Sequence, residues 1–292
     1  MYLFENKVQY SLPSYKIQEL YFQGITAAAI DIETTGLSSK HHPVILIGVL
    51  SPAEKDSWNI TQFFARSPDE EAEILHAFFQ FIEPYDLLFN YNGTSFDLPF
   101  LNRRSQHLHL NMQVPLHKSF DLYRVIQTSY LSEILPDLKL KTIESFLGVS
   151  RKDQISGQES TRLYQKYLAS KDERLLHQIL LHNQEDLSSF LSCLPIFQKI
   201  NFHQSVFRHG FPVACQNKVL YVQAIQLLPS GISARGKISD ASMDYQFYQE
   251  DFTFSLDHQS GNFLLHIFQN HIPTEYRQIN LLVKNVLQQI SF

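Results

Sequence analysis

The stretch AAAIDIETTGL, residues 27–37, is the most informative part of the sequence for the fold, because two acids stand at the end of an apolar, strand-like run. Its apolar residues predict a strand inside a core, and Asp31 and Glu33 stand at the end of that strand. Side chains at positions i and i+2 leave the same face of a strand, where two like charges repel one another. Hard divalent cations prefer oxygen ligands, so the pair predicts a metal-binding sheet edge.

Composition places the chain among globular proteins. It has 292 residues, of which 44% are hydrophobic and 18% are charged, which suits one large domain or two modest ones. The net charge of −5 argues against binding nucleic acid by bulk electrostatics alone, but contact through metal ions and local cations stays open. Cys193 and Cys215 form no CxxC motif, and no apolar run reaches membrane-spanning length. We therefore expect a reduced, cytoplasmic protein without membrane contact.

The pattern around the acidic stretch predicts an α/β domain. Strands are expected at 43–50, 57–64 and 86–92, with a helix from Ser67 to Pro84 between the last two. Residues 98–200 are mostly helical in pattern and close with a long helix over 172–200. This alternation of strands and helices is typical of α/β folds.

The chain changes character after residue 203. Aromatic-rich segments with period two predict a small antiparallel sheet, and residues 274–290 predict an amphipathic helix. We therefore expect three parts: an N-terminal extension with strand-like patches (1–24), a main domain (25–203) and a small C-terminal α+β domain (204–292).

One segment of the C-terminal part has the spacing of a phosphate-binding loop. GISARGKI, residues 231–238, fits GxxxxGK, but Ile238 stands where Ser or Thr should reach Mg²⁺, and no helix pattern follows. We interpret it as a flexible hairpin turn with two exposed cations, Arg235 and Lys237. Tyr245, Phe247 and Tyr248 could stack on bases, although packing against the closing helix is favoured.

Two further acids stand in similar settings. Asp97 follows a strand-end turn in NYNGTSFDLPFL (90–101), and Asp186 lies four residues after His182 on the long predicted helix. Residues at i and i+4 share a helix face, so this helix can present a metal ligand beside a general base. Each residue alone also has an ordinary interpretation: a strand end in solvent for the first pair, a helix N-cap for Asp97, and a partly buried helix histidine for His182.

Three segments together resemble a known family. DIETTGL (31–37), NYNGTSFDLPFLNRR (90–104) and HNQED (182–186) are similar, in this order, to the three motifs of DEDD 3′–5′ exonucleases. The resemblance spans roughly residues 25–200 and is strongest to the YprB-type group. It implies a ribonuclease H-like mixed sheet flanked by helices, here followed by the small C-terminal α+β region.

The resemblance also implies a reaction. Asp31, Glu33, Asp97 and Asp186 would hold two divalent metal ions, Mg²⁺ or Mn²⁺, and His182 would be the general base. One metal would activate a water and the other would stabilise the leaving 3′ oxygen, so that nucleotides leave from a single-stranded 3′ end of DNA or RNA. The family uses Tyr or His before the last Asp; this chain has His at the Tyr spacing, with three intervening residues.

Substrate contacts follow from the same resemblance. The backbone of Thr34, Thr35 and Gly36 would approach the terminal nucleotide, and Leu37 would wedge against its base. Asn92 and Gly93 would lie near the scissile phosphate. Some of the local cations would meet the nucleic-acid backbone, and these are Arg103, Arg104, Lys139, Lys141, Arg151 and Lys152.

Two other functions stay open at this point. The chain can be a catalytically weak nucleic-acid-binding or scaffolding module on a nuclease fold, or a ribonuclease H-like endonuclease. The presence of all four acids and a candidate base favours an enzyme, and the late His/Asp motif favours an exonuclease.

Overall fold

The structure is a computed structural model that describes residues 1–11, 16–54, 56–150, 155, 157–269 and 271–292. The chain forms two compact units. The first comprises Met1–Pro13, Thr26–Tyr123 and Leu131–Ile196, and the second comprises Ser14–Ile25, Arg124–Tyr130 and Phe197–Phe292.

The first unit is built on a mixed sheet of six strands, counted over the described residues. The order in space is β1-β4-β3-β2-β5-β6, in which β2, β5 and β6 run parallel and the other neighbours antiparallel. The strands are β1 (Tyr2–Gln9), β2 (Ala27–Thr34), β3 (Val44–Pro52), β4 (Ser57–Phe64), β5 (Leu87–Asn90) and β6 (Ser119–Asp121).

Helices accompany this sheet and connect its strands. The helices of the first unit are α2 (Glu71–Ile82), α3 (Asp97–His107), α5 (Leu131–Ile134), α6 (Leu140–Leu147), α7 (Gly157–Ser170) and α8 (Glu173–Cys193). The chain also forms α1 (Lys16–Tyr21), α4 (Leu122–Gln127), α9 (Phe202–His209) and α10 (Tyr276–Gln288). No helix in the described ranges has the length and apolarity that crossing a bilayer requires.

Both faces of the inner strands of the first sheet are buried, which explains the continuous apolar sequence of β2 and β3. One hydrophobic cluster joins strand residues such as Ile30 and Val49 to Ile74 and Phe78 of α2. A second cluster joins Ile45, Leu46 and Phe64 to residues of the late helices, namely Tyr164, Tyr167, Leu176 and Ile179. A core on each face fixes the sheet between α2 and α3 on one side and α7 and α8 on the other.

Gly48 lets α8 approach the centre of this sheet. It pairs with Asp31 across the β2–β3 register. A Cβ at this position would lie 2.2 Å from Asn183 Oδ1 and 2.6 Å from Leu187 Cδ1, both on α8. No side chain larger than hydrogen fits at this position without displacing the side chains of Asn183 and Leu187.

The second unit contains an antiparallel sheet and the closing helix α10, as the sequence predicts. The sheet order is β10-β11-β12-β9-β8-β7. Its strands are β7 (Phe211–Cys215), β8 (Lys218–Leu228), β9 (Gly231–Ile238), β10 (Tyr245–Tyr248), β11 (Phe252–Asp257) and β12 (Asn262–Phe268). Tyr245 contacts Phe292 and Phe247 contacts Phe252, whereas Tyr248 is exposed.

The prediction for GISARGKI is wrong, because this segment is strand β9 and pairs with β8 and β12. Ile232, Ala234 and Ile238 point into the core, while Arg235 is exposed and Lys237 donates to Ser260 O at 2.6 Å. Gly231 and Gly236 interrupt the apolar pattern, and Gly236 is required because a Cβ would meet Tyr221 O at 2.0 Å. The glycines therefore serve close packing within a sheet and not a turn.

The N-terminal segment divides between the two units. Strand β1 pairs along its whole length with β4, and α1 belongs to the second unit. The sequence predicts only strand-like patches here, since an edge strand exposed on both faces shows little alternation. The sequence divides the chain into three parts, 1–24, 25–203 and 204–292, and this division stays a prediction.

We predict that Gly48→Ala destabilises the protein by about 1–3 kcal/mol, because the added methyl overpacks the contact with α8. Urea denaturation of the metal-free protein measures the change. Gly157→Ala is the matched control, since a Cβ there meets nothing within 4 Å. Equal stability of Gly48→Ala and the wild type would contradict the close approach of α8.

Candidate metal and catalytic site

Four acids from three separate segments converge at one end of the first sheet. Asp31 and Glu33 come from β2, Asp97 from the start of α3 and Asp186 from α8. Together with His182 they line an open pocket of about 410 Å³. The structure thus brings together all five residues that the sequence predicts for metal binding and catalysis.

Local structure explains how each acid reaches the pocket. The register of β2 and β3 shifts between Glu33 and Thr34, and β2 ends at Thr34, so the acidic pair lies at the end of the strand. Asp97 is the first residue of α3, and its N-cap is Phe96 with no side-chain cap, so the ordinary N-cap interpretation of Asp97 does not hold. Asp186 and His182 share one face of α8 at i, i+4 spacing.

His182 lies among the acids. Its Nε2 is 3.6 Å from Glu33 Oε1 and 3.9 Å from Asp186 Oδ2. The possible ligand atoms of Glu33, His182 and Asp186 all lie within 4.8 Å of one another, which is close enough to surround one ion. His182 is therefore placed either to move a proton or to bind a metal.

Burial and mutual repulsion raise the pKa values of three of the acids, because both disfavour the ionised carboxylate. Burial raises the pKa of Glu33 to about 7 and that of Asp97 to about 7, with repulsion from Asp186 adding to both. The pKa of Asp31 is raised well above its usual range, first by burial and then by the charges of Asp186, Asp97 and Glu33. Carboxylates whose ionised form is this unfavourable need a strong cationic partner.

The donor set fits hard divalent cations and not a protein cation. The nearby lysines bind elsewhere: Lys139 Nζ lies 3.1 Å from Asp137 Oδ2, and Lys141 Nζ donates to Ile155 O at 2.8 Å. The lining of the pocket includes Lys139 and Lys141, but its main metal-binding groups are carboxylates, whose oxygen is the ligand type of Mg²⁺ and Mn²⁺. Glu33, His182 and Asp186 could together surround one such ion, and Asp31 and Asp97 line the same pocket.

A further acid, Asp121, supports the loop before α3. Its carboxylate accepts the backbone N–H groups of Asn92 at 2.8 Å, Thr94 at 3.2 Å and Tyr123 at 3.1 Å. Asn92 has a left-handed backbone with φ 64°, as its turn signal suggests. The sequence analysis misses Asp121; its signal is a strand end, at β6, beside those of β2 and β5.

Comparison with known proteins decides the family. The family model RNase_H_2, of the RNase_H superfamily, matches residues 28–194, which is more than half of the chain. The chain belongs to the RNase H superfamily. The predicted ribonuclease H-like α/β fold with a C-terminal α+β region is confirmed.

Individual relatives of this superfamily member are distant. Uncharacterized protein YprB of Bacillus subtilis (strain 168) is 25% identical over 164 residues, which are 56% of this chain and 39% of the relative. The chain thus spans well under half of the relative's length. A family B DNA polymerase from the archaeon Pyrobaculum calidifontis has a similar structure, with a TM-score of 0.50 and 17% identity over 63% of this chain and 26% of the polymerase chain. This likeness concerns the fold.

Only some of the residues predicted to contact substrate line the pocket of this RNase H superfamily protein. Thr34 Oγ1 bonds Gly36 O at 2.9 Å, and the ring of His42 fills the space against Gly36. Leu37 is 85% exposed, as a residue that touches a bound base must be. Asn92, Lys139 and Lys141 line the pocket, whereas Thr35, Gly93 and Arg103 are not among its lining residues.

Arg104 departs from the predicted use. It is buried, and its guanidinium binds both carboxylate oxygens of Glu71 and donates to Ser39 O at 3.1 Å. Glu71 in turn accepts the N–H of Val44, so the pair fastens α3 and α2 to β3. Arg104 is therefore a structural residue and not a substrate contact. Arg151 and Lys152 lie outside the described residues.

We predict that Asp97→Asn stabilises the metal-free protein above pH 7. The pKa of Asp97 is about 7 in the folded protein and 3.8 for an ordinary aspartate, so the ionised carboxyl group penalises folding increasingly as pH rises between these two values. Removing the charge should raise Tm at pH 8 on the order of 5 °C and change little near pH 4.

Differential scanning calorimetry with and without Mn²⁺ measures this effect. Mn²⁺ should raise the Tm of the wild type and have a smaller effect on the variant, since one carboxylate is missing. Asp240→Asn, at an exposed position, is the control and should change neither value. A lower Tm for Asp97→Asn at pH 8 would contradict the mutual repulsion.

Proposed function

We propose that this protein is a metal-dependent 3′–5′ exonuclease that hydrolyses phosphodiester bonds of DNA or RNA by a two-metal mechanism. The observation that carries the proposal is the convergence of four acids and one histidine in a single pocket of an RNase H superfamily chain.

The acids supply the metal-binding part of this proposal. Asp31, Glu33, Asp97 and Asp186 would hold two ions, Mg²⁺ or Mn²⁺, which when bound would neutralise the carboxylates and stabilise developing charge on the phosphate. The raised pKa values support this assignment, because a dication would stabilise the ionised form that burial and mutual repulsion disfavour.

His182 supplies the proton-moving part. Nε2 of His182 lies in the pocket beside Glu33 and Asp186, so it can accept a proton from an attacking water. The same distances allow His182 to be a metal ligand, which is the second candidate role. Replacing His182 would lower the metal affinity if it is a ligand and would leave the metal affinity nearly unchanged if it is a general base.

The exonuclease direction rests on the motif resemblance. An exposed Leu37 beside the first motif supports a wedge against a terminal base, and the openness of the pocket supports a single-stranded 3′ end. Cys193 and Cys215 are buried and are not in a disulfide, which supports the cytoplasmic location that we include in the proposal.

We predict that the protein with Mn²⁺ shortens a 5′-labelled single-stranded oligonucleotide stepwise from its 3′ end. Denaturing gel electrophoresis follows the products on matched DNA and RNA sequences, and an otherwise identical oligonucleotide with a blocked 3′ end should resist. Asp31→Asn should abolish the activity by removing a metal ligand, whereas Asp240→Asn should retain it.

The other outcomes of this assay separate the competing functions. Internal fragments from both the free and the blocked substrate would support the endonuclease alternative. Retention of the labelled oligonucleotide by the protein on a filter, with no cleavage at any Mn²⁺ concentration, would support the binding or scaffolding alternative.

We predict that His182→Gln lowers kcat by about 10²–10⁴-fold while Mn²⁺ affinity stays within about twofold of the wild type, since a general base acts on water and not on the metal. Single-turnover cleavage and isothermal titration with Mn²⁺ measure the two quantities on the same protein. A large loss of Mn²⁺ affinity would instead assign His182 to the metal ligands.

A further inference from the structure

Asn183 connects Asp31 to the interior of the protein. It lies next to His182 on α8, is fully buried, and is not one of the acids or bases of the proposed reaction. Its Nδ2 donates to Asp31 Oδ2 at 2.8 Å and to Asp31 O at 3.3 Å. Its Oδ1 accepts from Gln62 Nε2 at 2.8 Å.

A backbone carbonyl sets the direction of this chain of hydrogen bonds. Gln62 Nε2 also donates to Leu180 O at 2.9 Å, and a carbonyl oxygen can only accept. Gln62 must therefore present its NH₂ group, so that Asn183 must turn its oxygen toward Gln62 and its NH₂ group toward Asp31. The Asp31 carboxylate, which can only accept hydrogen bonds when ionised, therefore faces the NH₂ group of Asn183.

The orientation of Gln62 leaves one of its buried polar atoms without a hydrogen bond among the described residues. Gln62 Oε1 is buried and finds no hydrogen-bond donor in the described part of the chain. Flipping the amide would satisfy nothing, because Oε1 would then face Leu180 O and turn the oxygen of Asn183 toward the Asp31 carboxylate. Gly48 provides the space, since any Cβ there would occupy the position of Asn183 Oδ1.

We propose that Asn183, oriented by Gln62, is a positioning residue that holds Oδ2 of Asp31 and leaves Oδ1 available to a divalent cation. The inference rests on the metal-binding part of the proposed function. Asn183 fixes the rotation of the carboxylate, and Gln62 acts only through Asn183. The two residues thereby set the affinity of the site for its metal without touching substrate.

Isothermal titration of the full chain with Mn²⁺ alone tests the proposal. Asn183→Leu, close to Asn in shape, should weaken Mn²⁺ affinity about 10–100-fold, and Gln62→Met should weaken it at least about threefold. The double variant should match Asn183→Leu within about twofold, because Gln62 has no effect once Asn183 is absent. Gln184→Leu, the next residue on α8, should bind Mn²⁺ like the wild type.

The opposite results overturn the proposal. Wild-type affinity in Asn183→Leu would exclude a positioning role, and losses that multiply in the double variant would mean that Gln62 acts independently of Asn183. Circular dichroism checks folding; if Asn183→Leu does not fold, Gln62→Met decides alone, and unchanged affinity there overturns the proposal.

Cleavage assays separate this proposal from the proposed function. If the enzyme is a nuclease, excess Mn²⁺ should restore the cleavage rate of Asn183→Leu, because the reacting groups are intact. If the predicted pattern of Mn²⁺ affinities occurs without any nuclease activity, the positioning role stands and the proposed function fails. If the wild type binds no Mn²⁺, both fail.

Discussion

The burial and mutual repulsion of four carboxylates, of which Glu33 and Asp97 are buried and Asp31 and Asp186 are half-buried, is the constraint on which the first unit depends. Asp31, Glu33, Asp97 and Asp186 come from distant parts of the chain, and bringing them together raises the free energy of the ionised, metal-free protein. Two hydrophobic cores, one on each face of the sheet, offset this cost and keep β2, α3 and α8 in register. Rigidity of the surrounding sheet is what allows such a site to exist.

The supports of the site are built from polar groups that the cores enclose. Asp121 fixes the loop that leads into Asp97, and Asn183 with Gln62 fixes Asp31. The ion pair of Arg104 and Glu71 fastens α3 and α2 to β3. Asp31 and the loop that leads into Asp97 thus have neighbours that limit their movement, a feature that fold similarity alone does not provide.

Sequence reasoning recovers the parts of this structure that depend on local pattern. Strands β2 to β5 follow from apolar runs, α2 and α8 from helical periodicity, and the four acids from the motifs that end or begin these elements. Sequence patterns do not predict the elements and side-chain roles that depend on contacts between distant parts of the chain. Strand β6 has three residues, too few to show a period, and β9 is concealed by Gly231 and Gly236, which sheet contacts require. Asp121 and the Gln62–Asn183 pair are invisible because their roles arise from partners far away in the chain.

Anomalous diffraction from crystals soaked in Mn²⁺ tests the central claim most directly, since it locates the metal without reference to any reaction. The account predicts anomalous peaks within bonding distance of carboxylate oxygens from Asp31, Glu33, Asp97 and Asp186. Absence of a peak at this end of the sheet, or an Asp186 side chain turned away from Asp31 and Glu33 with the metal present, would contradict it.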